Sequence, residues 1–122
     1  MKKKIIIETI LNTRFSVNSE VEQFRKFAEL GLQKEWIDYR IDLFMKYALV
    51  SLLNQTNQNF LSIVVYLDST EQIVLDALKK YDSLPENVLF VNHKDLNKLK
   101  YDYIKDSDLY YEVRLDSDDM YA

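Results

Sequence analysis

The 122-residue chain contains no cysteine, and only one glycine, one proline, one histidine and one tryptophan. Without cysteine there is no disulfide framework, no thiol nucleophile and no thiolate zinc site. The lone His93 rules out a multi-histidine metal centre. Any metal would rest mainly on carboxylate, carbonyl or water oxygens, the donors preferred by hard cations such as Mg²⁺, Mn²⁺ or Ca²⁺. A single Gly31 cannot make a glycine-rich phosphate loop, which argues against nicotinamide and P-loop enzymes built on one. Net charge is −4, the wrong sign for a duplex-binding face, so nucleic acid is not an expected partner.

What is present is a soluble-domain composition, 48% hydrophobic and 30% charged, in a chain long enough to bury a core. Lys2-Lys3-Lys4 followed by Ile5-Ile6-Ile7 has the charge of a signal peptide, but Glu8 interrupts the apolar run, so the segment reads as a first strand. No run has the length of a membrane span. The expected compartment is the cytoplasm, compatible with a peripheral position on the inner face of the membrane.

Lys4 to Leu11 is apolar and β-branched, as suits a strand covered on both faces. A loop follows over residues 12–19, then a short amphipathic helix over 20–30 with Gly31 placed to stop it. Residues 35–54 predict the clearest helix, with Ile37, Ile41, Phe44, Ala48 and Leu52 at steps of three and four. Phe60 to Leu67 is a second buried strand. Ser69-Thr70-Glu71-Gln72 predicts a capping box opening a helix that ends near Tyr81, and Leu84 to Asn87 is a turn. A strand over 88–91, an exposed helix over 94–105 and a strand over 109–115 complete an alternation that predicts a three-layer α/β domain with right-handed crossovers.

Ligands of open α/β sheets bind beyond the carboxyl ends of the strands. Those ends lead here to Thr13-Arg14-Phe15, Asp68-Ser69-Thr70, Asn92-His93 and Asp116-Ser117-Asp118-Asp119. Carboxylates packed as closely as Asp116, Asp118 and Asp119 repel one another unless a cation or protons neutralise them, and a divalent ion that also binds a diphosphate would do so. A solvated acidic turn is the plain alternative. Asp106-Ser107-Asp108 repeats the triplet but precedes its strand, so it belongs to the opposite edge. An EF-hand loop is excluded because Tyr121 stands where that loop requires glycine. Trp36 and the tyrosines are expected to fill the core, although Tyr110, Tyr111 and Tyr121 flank the acidic run, where an aromatic could stack on a sugar or base; His93 is expected to be a surface residue, and Arg40 to pair with a helix carboxylate in preference to facing the ligand site.

Ser51-Leu52-Leu53-Asn54-Gln55-Thr56, Asn59-Phe60, Ile63-Val64-Val65, Asp68-Ser69-Thr70 and Arg114-Leu115-Asp116-Ser117-Asp118-Asp119 together resemble inverting, family 2-type glycosyltransferases of the GT-A fold. Thr13-Arg14-Phe15, Trp36 with Arg40, and Phe44 resemble a bacterial rhamnosyltransferase subset involved in cell-surface polysaccharide synthesis. The resemblance runs from residue 10 to 120. It implies the Rossmann-like nucleotide-binding half of a GT-A domain, with a mostly parallel sheet and flanking helices over 1–122. It also implies Asp116 and Asp118 as ligands of Mn²⁺ or Mg²⁺ in an Asp-x-Asp motif, with Thr13, Arg14, Asp68, Asp116 and Asp119 contacting a nucleotide-diphosphate sugar. The chain departs from the family in having Tyr66-Leu67-Asp68 where two Asp and a Gly usually precede Ser-Thr, leaving Asp68 as the candidate for the nucleobase contact.

The base that would deprotonate an acceptor glycan or lipid-linked saccharide lies in that family well downstream of Asp-x-Asp. It is expected beyond residue 122, so the chain reads as a donor-binding half that does not transfer sugar by itself. Its exposed face is expected to permit a homodimer. A non-catalytic α/β interaction or nucleotide-binding module is the rival reading. A phospho-acceptor receiver domain is disfavoured because Asn12-Thr13-Arg14 supplies no acidic pair after the first strand.

Overall fold

The computed structural model describes residues 2–13 and 18–115. Strand β1 (Lys3–Ile10) leads to helix α1 (Glu22–Leu30), then α2 (Lys34–Leu43), which passes through a π-helical turn (Phe44–Ala48) into α3 (Leu49–Leu53). Strand β2 (Leu61–Tyr66), a 3₁₀ turn (Asp68–Thr70), α4 (Glu71–Leu78), β3 (Val88–Asn92), a second 3₁₀ turn (His93–Asp95), α5 (Leu96–Ile104) and β4 (Leu109–Arg114) follow.

The four strands form one all-parallel sheet in the order β3-β2-β1-β4. Helices flank it on both sides, so the expected α/β, three-layer, Rossmann-like architecture is the observed one. Alternation along β1 and β2 divides the core in two. Ile7, Leu11 and Val64 face α2, α3 and α4, joining Ile37, Ile41, Phe44, Leu52 and Val74. Ile6, Leu61, Ile63 and Val65 face the other way, against Leu96, Leu99, Tyr103 and Ile104 of α5. All six residues of β2 are buried, whereas all six of β4 are exposed. The continuous apolar run of one and the tyrosine-rich, mixed pattern of the other reflect a central and an edge position.

Several local expectations change. The helix over 35–54 exists, but its middle is π-helical: Phe44, Ala48 and Leu52 step by four, longer than the 3.6-residue α turn, and a wider turn holds them all on the sheet. The capping box does not form. Thr70 is buried and its hydroxyl donates to the Leu67 carbonyl (2.8 Å), so the chain enters α4 through a 3₁₀ turn with no side-chain cap. Gly31 closes α1 without left-handed geometry (φ −66°). Its small size matters instead, because a Cβ there would lie 3.3 Å from the Asn12 Cβ. Helix α1 buries only Ala28 and leaves Phe24 and Phe27 largely exposed. Of the described tyrosines, Tyr66 is buried and Tyr81 and Tyr103 pack against the core, as Trp36 does, while Tyr39, Tyr47, Tyr101, Tyr110 and Tyr111 are exposed, so the core expectation holds for some aromatics and not for others. Among the described residues no helix is long and apolar enough to cross a membrane.

Candidate functional site

From β1 the chain moves outward through β2 to β3, then returns to add β4 on the other flank of β1. The order reverses between β1 and β4, and this topological switch point is where open α/β sheets hold ligands, beyond the strands' carboxyl ends. The two ends lie side by side. Glu8 pairs with Arg114, and the Leu115 N–H donates to the Glu8 carbonyl (3.0 Å). On one flank of the switch the sequence therefore continues from Leu11 into Asn12 and Thr13, and on the other from the buried Leu115 into Asp116. Arg14, Asp116, Asp118 and Asp119 lie outside the described residues, as does any geometry of a metal held by Asp116 and Asp118. Their carboxylates are the donor type for the hard cation the composition favours. Among the described residues no cluster of three or more His, Asp or Glu could hold a metal ion.

The structure brings Thr13 and Asp68 to the same edge and reveals the residue that joins them. Asn12 is 6% exposed. Its Oδ1 accepts from the Leu67 N–H (2.9 Å), and its Nδ2 donates to the Gly31 carbonyl and to Thr70 Oγ1, both at 3.0 Å. One side-chain amide thus ties the ends of β1 and β2, the start of α4 and the turn between α1 and α2. Thr13 and Asp68 each follow directly on a member of the Asn12–Leu67 pair. In the sequence Asn12 stands in the loop after the first strand, and its signal is an amide at the mouth of a buried strand, where backbone groups from several loops need partners.

Asp68 is held from the neighbouring strand end. One carboxylate oxygen lies 3.1 Å from His93 Nε2 and the other accepts from Lys94 Nζ at 2.7 Å. His93 is an exposed surface residue, as expected; it meets Asp68 because parallel pairing of Tyr66 with Asn92 sets the residues after β3 beside those after β2. Lys94 first, then His93, holds the Asp68 carboxyl down at about 2. The group stays ionised at neutral pH, and at 38% exposure its remaining lone pairs are reachable from solvent. Tyr66, at the end of β2, donates to Glu71 (2.9 Å), and burial with that bond pushes its hydroxyl up to about 12, so it is a donor and not a base.

Among the described residues Arg40 does not form the expected ion pair with a helix carboxylate. Its guanidinium lies over the Trp36 ring, 5.7 Å from the centroid, and its Nε is buried without a hydrogen-bond partner. The open hollow lined by Met45, Leu75, Leu78 and Tyr81 sits at the C-terminal end of α4. It is therefore at the opposite edge of the sheet from the switch point and belongs to a different part of the surface.

The edge thus carries, in spatial order, a Lys–His–Asp group at β3 and β2, the Asn12 tie with Thr13 at β1, and the β4 end from which the acidic run departs. Such a row offers hydrogen-bond acceptors and an exposed cation to a polar ligand lying across the strand ends. No protein-family model, curated protein or solved structure matches the chain.

Proposed function

We propose that this chain binds a nucleotide-diphosphate sugar together with Mn²⁺ or Mg²⁺, as the donor-binding part of a metal-dependent, GT-A-like inverting glycosyltransferase. The observation that carries the reading is the strand order: an all-parallel β3-β2-β1-β4 sheet with its switch point between β1 and β4, and an Asp-x-Asp-Asp sequence immediately after β4. In this reading Asp116 and Asp118 bind the cation and the cation binds the diphosphate, with Asp119 against the sugar or a metal-bound water. Thr13 and Arg14 contact the nucleotide from the β1 side. Asp68, kept anionic by Lys94 and His93, accepts a hydrogen bond from the base. The residue that would activate an acceptor hydroxyl lies outside this set, so donor binding is expected from the chain and sugar transfer is not.

Thermal unfolding tests the proposal. Mn²⁺ or Mg²⁺ and a nucleoside diphosphate, screened over several bases, should raise the melting temperature more together than either does alone. At tenfold over its dissociation constant a ligand adds about 1.4 kcal/mol, or about 4–6 °C for a domain of this size. Asp116→Asn with Asp118→Asn should abolish the metal-dependent part. Unchanged melting with both ligands at millimolar concentration would overturn the proposal. It would instead favour the non-catalytic module.

A further inference from the structure

Arg40 lies on helix α2 with no carboxylate at the spacings where helical side chains meet. The residues three and four positions away are Trp36, Ile37, Leu43 and Phe44, and none is acidic. Two carboxylates of α2 are engaged elsewhere, Asp38 with Lys34 and Lys80, and Asp42 with Lys46 and Tyr81. Those contacts place Asp38 and Asp42 on the flank of α2 that meets α4 and the turn after it. Ile37 and Ile41 face the sheet, so Trp36 and Arg40 occupy the opposite flank. Helix α4 connects β2 to β3, and the flank of α2 away from it lies toward β1 and β4.

The helix also sets the direction of the side chain. α2 begins three residues after Gly31, whose carbonyl accepts from Asn12 Nδ2 at the ligand edge. Helical side chains lean toward the helix N-terminus, and the Arg40 guanidinium lies over Trp36, one turn earlier. Trp36 in turn packs against the cluster that contains Leu11 and Leu115, the residues from which the chain continues into Asn12 and Asp116. Arg40 thus carries a positive charge toward the β1–β4 side of the edge.

Stacking on the indole fixes the plane of the guanidinium, so little rotamer freedom is left to lose when a ligand pairs with it. Its Nε is buried with no acceptor among the described residues, and a guanidinium withdrawn from water is costly until an anion completes it. The residue as a whole is partly exposed, which leaves an anion a way in. Two other cations near the strand ends are already committed, Lys94 to Asp68 and Lys100 to Glu8 and Glu112. In the donor-binding reading, the diphosphate together with Asp116 and Asp118 carries more negative charge than one divalent ion cancels. We propose that the Arg40 guanidinium, held flat on Trp36, binds the diphosphate of the nucleotide sugar from the α2 side. Its planar fork matches two phosphate oxygens. This assignment rests on the donor-binding reading and adds to it a residue from the body of a helix.

Trp36 is the sole tryptophan, so its fluorescence reports what meets Arg40. With Mg²⁺ present, inorganic pyrophosphate and a nucleoside diphosphate should each change the emission of the unaltered chain saturably. Arg40→Met keeps an apolar stem on the indole and removes the charge, and it should weaken both affinities, read by calorimetry, by at least about tenfold. R40K should recover part of the loss, because it restores the charge without the fork. Far-ultraviolet circular dichroism confirms that each variant is folded. Equal affinities in the unaltered chain and R40M would overturn the inference and leave the donor-binding reading standing; a lower melting temperature of R40M alongside them would make Arg40 a partner of the chain's own acidic run. An Arg40-dependent response to pyrophosphate in a chain that binds nucleoside diphosphates no more tightly would uphold the anion site and overturn the nucleotide reading. Neither heat nor a change in emission with either ligand would overturn both.

Discussion

Asn12 is a single buried amide with three bonds to three different segments, and its removal tests how the ligand edge is held. Asn12→Ala takes the partner of the Leu67 N–H and the donor to the Gly31 carbonyl, while the Thr70 hydroxyl keeps its bond to the Leu67 carbonyl, at an expected cost of about 2–3 kcal/mol in urea unfolding. Gly31→Ala should cost less than about 1 kcal/mol, since the backbone at Gly31 is helical and only the 3.3 Å approach to Asn12 must relax. Asp68 gives the second test at this scale. Its folded carboxyl is held below its ordinary value chiefly by Lys94, so its contribution to stability is complete above the unfolded carboxylate value. That contribution is lost as pH falls from about 4 toward 2. Lys94→Met should raise the Asp68 midpoint by roughly one unit, read by carbon-detected NMR titration of the carboxyl. An unchanged midpoint would show that Lys94 does not hold the carboxylate in solution.

At the scale of elements, the contrast between β2 and β4 sets what the sheet can tolerate. Ile63 on β2 is fully buried and Leu109 on β4 is 38% exposed. Ile63→Ala should lower the unfolding free energy by about 2–5 kcal/mol and Leu109→Ala by less than about 1 kcal/mol, in denaturant titrations. Equal losses would mean that β4 is as deeply packed as the strand at the sheet's centre. Element types and order were legible because the signals are local: β-branched runs at 4–11 and 60–67, and steps of three and four over 35–54. What was not legible depended on tertiary neighbours. The Ser69-Thr70-Glu71-Gln72 pattern reads as a capping box until Leu67 and Asn12 engage Thr70, and the amphipathic pattern over 20–30 does not show that Phe24 and Phe27 stay exposed in the fold.

For the molecule as a whole, the candidate site divides along the same line. Asp68 was legible as a residue after a strand, but its partners His93 and Lys94 follow a different strand and meet it only through parallel register. Asn12, the tie among loops, carries no motif.

The pairing of Lys3 with Leu109 also bears on how the chain acquires its structure. Strand β1 lies between β2 and β4, yet its β4 partner is separated from it by almost the entire sequence, and contacts of such separation slow the search for the native topology. During synthesis β1 can dock on β2 once residues 61–66 are free, while its other flank must wait for β4. Among the described strands the junction of β1 and β4 is then the last to close, and the edge across β1 and β4 is completed only at that step.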